Sequence, residues 1–81
     1  METSAVKALI EAGMPDARVE VTGDGRHFEA VVVAAGFEGK SLVERHRMVM
    51  ATVHDQIASD ELHALSIKAL TPKQWEAQRG G

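Results

Sequence analysis

Eighty-one residues with 44% hydrophobic and 26% charged side chains suit one small folded domain and argue against a disordered tail, leaving function to a surface or an interface. A net charge of −3 excludes the overall positive field that carries non-specific nucleic-acid binding, and the absence of cysteine excludes a disulfide, a thiolate nucleophile and a self-sufficient zinc or iron–sulfur site. There is no basic head followed by an apolar run and no apolar stretch near the length of a membrane span, so a soluble, cytoplasmic domain is the expectation.

Thr3 or Ser4 is placed to cap a first helix over 4–12, whose Val6, Leu9 and Ile10 form one apolar stripe. Gly13 suits the left-handed residue that ends a helix, and Pro15 blocks its continuation. Val19 and Val21 alternate along a strand at 18–22. Gly23, Asp24, Gly25 and Arg26 punctuate a hairpin, with His27 heading the second strand (28–34). Val31 to Val33 there read as apolar on both faces, which suits a central strand.

Ser41 and Glu44 form a capping box for the longest helix, over 42–57. Leu42, His46, Val49, Met50, Val53 and Ile57 trace its expected buried face. Leu65, Ile67 and Ala69 alternate in a third strand at 64–70. Thr71 then caps a short helix over 72–78 with Pro72 at its first position, Trp75 as its anchor, and fraying expected over 78–81. The whole of 1–81 is one α+β domain in the order α-β-β-α-β-α. Val6, Ile10, Phe28, Leu42, Val49, Val53, Ile67 and Trp75 are its expected core.

A strand–helix–strand connection within one sheet normally makes its two strands parallel. The second and third strands, headed by His27 and His63, then start at the same edge, roughly 4.8 Å apart if they are neighbours. Two imidazoles there can supply half of a metal site, the rest coming from water or a partner. Spacing alone favours the plainer reading of two surface histidines at strand ends. His46, on the expected buried stripe, reads as a packed structural histidine, with His54 beside it half exposed. Lys40, Arg45 and Arg47 make the helix start basic, which suits an acidic protein partner or a solvated face better than nucleic acid, since Glu38 and Glu44 lie among them. No nucleophile–base–orienter set is visible, so no enzyme is read.

Three segments carry a family resemblance: VTGDGRHF at 21–28, FEGKSLVERHRMV at 37–49, and HALSIKALTP with Gln74-Trp75 at 63–75. Together they resemble the BolA-like family over nearly the whole chain, the middle segment looking like its signature. The resemblance implies a fold similar to type II KH domains, a three-stranded mixed sheet backed by helices. It also implies a monothiol glutaredoxin partner and a shared [2Fe–2S] cluster, with none in the isolated chain. The partner and its glutathione would bring the thiolates. His63 matches the family's C-terminal histidine ligand, and His27 matches a loop ligand that is Cys in some members and His in others. Gly23 and Gly25 would leave that loop mobile. Transcriptional control in some members keeps open a nucleic-acid-binding regulator using Lys40, Arg45 and Arg47. Gly36-Phe37-Glu38-Gly39 has the spacing of the KH clamp, but Glu38 stands where a phosphate would approach.

Overall fold

The computed structural model describes residues 1–79. It runs α1 (Thr3–Gly13), β1 (Arg18–Gly23), β2 (His27–Val33), a 3-10 turn (Ala35–Phe37), α2 (Leu42–Thr52), α3 (His54–Ala58), β3 (Ala64–Leu70) and α4 (Pro72–Arg79). The sheet order is β1-β2-β3, with β1 antiparallel and β3 parallel to the central β2, as the crossover argument requires. Gln78 and Arg79, expected to fray, close α4; Gly80 and Gly81 lie outside the described residues.

Alternation along the strands sorts the sheet into two faces. Val19, Phe28, Ala30, Val32 and Ala69 are buried on one face, with Val21, Leu65 and Ile67 half-buried beside them. Val6 and Ile10 of α1 and Val49 of α2 pack against that face. Arg18, Glu20, Thr22, Glu29, Ser66 and Lys68 are exposed on the other. The helix-bearing face therefore holds the core, to which Phe37 and Leu62, absent from the sequence-based core, also contribute fully buried side chains.

α1 has no side-chain cap: Glu2 is its N-cap residue, and neither Thr3 nor Ser4 serves. Burial of Val6 and Ile10 holds the helix instead. Gly13 is still helical, and its backbone is not left-handed. A Cβ built there would sit 2.5 Å from Thr52 Cγ2 and 3.0 Å from Thr52 Cβ, so Gly13 is needed for close approach of α1 to α2. The Thr52 hydroxyl donates to the Val49 carbonyl at 2.6 Å, which opposes rotation of its methyl out of the way. Gly13→Ala is expected to destabilise the fold by about 1 kcal/mol despite alanine's better helix propensity. In a Thr52→Ser background, which removes the methyl and leaves the 3.0 Å approach to Cβ, the same change should cost less; urea denaturation of the four proteins checks both.

The expected long helix is two. Val53 leaves helical geometry (φ −121°, ψ 17°), and its N–H bonds three residues back, to the Met50 carbonyl. Thr52 and Val53 are both β-branched, and the full burial of Val53 holds this break. The face of α2 turned inward also differs from the apolar stripe. Arg45, Val49 and Val53 are buried with Met48 and Thr52 half-buried, whereas Leu42 is 74% exposed and His46 is exposed. His46 is thus not a packed histidine. Arg45 takes the inward position because carbonyl oxygens satisfy its guanidinium, a possibility that apolar periodicity ignores. Ile67 and Trp75 are half-buried rather than core.

Candidate functional site

The parallel register pairs His27 with Ala64, the neighbour of His63, so both histidines stand at the same end of adjacent strands. Both are exposed, and His63 lies one residue upstream of the level of His27. His63 is anchored on each side. Leu62 is buried, with its N–H on the Gln56 carbonyl, and Ala64 begins β3.

The His27 loop is more closely tied than its glycines suggest. Asp24 Oδ1 accepts the backbone N–H groups of Arg26 and His27, each at 2.9 Å, and the Asp24 N–H donates to the His27 carbonyl. Gly25 takes a φ of +99° at the tip, a conformation side-chain-bearing residues rarely adopt. The His27 N–H, then the Arg26 N–H, hold the Asp24 carboxyl below its ordinary pKa. Its Oδ2 is 4.0 Å from His27 Nδ1, bringing a carboxylate to the ring. Because the folded pKa is depressed, this tether is in force above the ordinary carboxylate range and is lost as pH falls through the folded value. Asp24→Ala is expected to speed hydrogen exchange of the Arg26 and His27 amides several-fold at neutral pH, with amides of the central strand unchanged. Unchanged exchange at those two positions would show that the turn holds without the carboxylate.

Among the described residues no three or more His, Cys, Asp or Glu gather into a group able to hold a metal ion. His54 is exposed, with its ring 3.4 Å from Asp55.

The basic trio does not stay together as a surface. Lys40 and Arg47 are exposed, but Arg45 is only 8% exposed. Its Nε donates to the Lys40 carbonyl (3.1 Å), and its Nη1 to the Ala69 carbonyl (3.2 Å) and Gln74 Oε1 (2.9 Å). The guanidinium also lies over the Phe37 ring, 5.9 Å from its centroid. Arg45 is a clamp joining the loop before α2, the end of β3 and the start of α4, and is withdrawn from docking. Gln74 Oε1 also accepts the Thr71 N–H, while Thr71 Oγ1 accepts the Gln74 N–H. Thr71 is the cap expected from the sequence, whereas Gln74 as its reciprocal partner was missed there, although the Thr-Pro-Lys-Gln spacing signals it; the bond to Arg45 has no sequence signal. Trp75 is half-buried with the Arg18 guanidinium 5.5 Å from its ring.

The family model described as BolA-like protein matches residues 5–74. The chain belongs to the BolA-like family. Among BolA-like relatives, the acid stress protein IbaG of Escherichia coli strain K12 is 34% identical over 79 residues, covering 98% of this chain and 94% of that one. A solved BolA homologue from Coxiella burnetii superposes with a TM-score of 0.86 at 43% identity, covering 94% of this chain and 97% of that one. A Bol-like protein from Babesia bovis gives 0.80 at 30% identity, with 98% and 94% covered. The four-helix, three-strand mixed-sheet domain is thus the BolA architecture. Among the described residues no helix is long and apolar enough to cross a membrane.

Proposed function

We propose that this BolA-like protein is a non-enzymatic cytoplasmic adaptor that pairs with a monothiol glutaredoxin and shares a [2Fe–2S] cluster with it. In this reading His63 and His27 ligate one iron, and the partner with its glutathione supplies the thiolates. The observation that carries the proposal is the parallel β2–β3 register, which puts His27 and His63, both exposed, at the same end of adjacent strands. The donor set suits a shared group: neutral nitrogen ligands that iron accepts, too few to close a site alone. His63 is the fixed ligand, set by buried Leu62 and the start of β3. His27, the first residue of β2, is held by the Asp24 carboxylate and through its own carbonyl.

Bound this way, the cluster would provide a redox and iron-responsive centre, with imidazole ligation raising its potential relative to all-thiolate ligation. Both cluster trafficking and iron sensing are served by that difference. The test is reconstitution with a monothiol glutaredoxin, glutathione, iron and sulfide, followed by visible circular dichroism and size-exclusion chromatography. The expected outcome is a heterocomplex whose spectrum differs from that of the glutaredoxin alone, and no cluster on this chain by itself. A mixture that reproduces the glutaredoxin spectrum and elutes as two separate proteins would overturn the proposal.

A further inference from the structure

α2 and α3 present to solvent an apolar face bearing one cation, Arg47, away from the histidine end of the sheet. Leu42 and Val43 are 74% and 59% exposed, although they are large hydrophobic residues. Two shallow, mainly apolar depressions run along this face. Leu42 and Val43 line the first with His46, and Met50 and Ile57 line the second with His54. Arg47 borders both and makes no ion pair among the described residues. The nearest carboxylate in sequence, Glu44, accepts the Ser41 N–H at 3.0 Å in the capping box. Asp55 stands at the far end, beside His54.

We infer that this face docks an amphipathic helix of a partner, with two apolar anchors seven or eight residues apart and an acidic residue midway between them. The spacing follows from the helix itself. Leu42 and Met50 are eight residues apart, about 12 Å at 1.5 Å per residue, and Arg47 falls between. A helix laid alongside reaches both depressions with residues i and i+7 or i+8, and its residue i+3 or i+4 meets the guanidinium. Charge selects the occupant. In a symmetric pair of this chain the face would meet itself, setting Arg47 near Arg47, so a second copy is disfavoured and an acidic partner favoured. This inference does not depend on cluster sharing.

The test uses two synthetic helical peptides with leucines at i and i+7, one carrying Glu and the other Lys between them. Binding is followed by fluorescence anisotropy and by amide chemical-shift changes in the protein. The acidic peptide is expected to bind at least about tenfold tighter than its lysine counterpart, with shifts concentrated on α2 and α3. Arg47→Glu should reverse that preference, and the Leu42→Ser, Val43→Ser double variant should weaken the acidic peptide about tenfold. Circular dichroism confirms that these surface variants fold. The His27→Ala, His63→Ala variant should bind the peptide like the parent protein. Equal affinity for the two peptides, shifts on another face, or self-association abolished by Leu42→Ser would each overturn the inference.

Discussion

Replacement of His63 by alanine is expected to abolish the cluster proposed to be shared with a monothiol glutaredoxin, or to lower its yield well beyond tenfold. Outer-shell partners of metal ligands already cost about 10–100-fold when removed, so loss of a ligand costs more. His63 should dominate because Leu62 and β3 hold its backbone from both sides. His27→Ala should weaken the complex less severely, since the neighbouring Asp24 carboxylate, 4.0 Å from the His27 ring, leaves another donor beside the vacated position. His27→Cys should retain the cluster while its spectrum shifts toward thiolate ligation and its potential falls. His46→Ala is the control. With its ring in solvent, stability should stay within about 0.5 kcal/mol of the parent and the cluster spectrum should not change. Visible circular dichroism of the reconstituted mixtures reads all four variants. A double variant lacking both histidines whose spectrum matches the parent would exclude the ligand assignment.

Arg45 should show the largest effect on stability. Its guanidinium is buried, takes three neutral acceptors from three separate segments and lies over Phe37. Hydrogen bonds made by a charged donor are worth about 1.5–3 kcal/mol each, though not additively. Arg45→Ala is therefore expected to cost about 3 kcal/mol in urea denaturation. Arg45→Lys should recover little, because one ammonium cannot reproduce the planar fork that reaches Lys40, Ala69 and Gln74 together. Gln74→Ala should cost about 1 kcal/mol, since it removes the acceptor of the Thr71 N–H in the reciprocal cap as well as one Arg45 acceptor, while Thr71 Oγ1 still caps the helix. The two changes should couple in a double-mutant cycle. Arg45→Lys within about 0.5 kcal/mol of the parent would show that the clamp contributes no more than an ordinary surface residue.

The clamp also marks where sequence and structure part. By itself the sequence determined the features that depend on near neighbours. Ser41 with Glu44 and Thr71 with Gln74 close reciprocal caps over three residues, so both helix starts were legible. Strand alternation separated Val19, Phe28 and Leu65 from the solvated Arg18, Glu29 and Ser66. Element order and the crossover rule predicted the parallel pairing that sets His27 and His63 at one edge. The segments at 21–28, 37–49 and 63–75 together carry the family resemblance.

Only the tertiary structure decided which face of α2 turns inward, that Val53 breaks the helix, and that Phe37 and Leu62 enter the core. The physical reason is clearest at Arg45. A cation can be buried when acceptors converge on it, and here they come from Lys40, five residues away, Ala69, 24 away, and Gln74, 29 away. Helical periodicity carries no record of those oxygens. Their convergence turns Arg45 inward beside Val49 and Val53, which keep their expected burial, and leaves Leu42 and His46 of the same stripe to solvent with Val43.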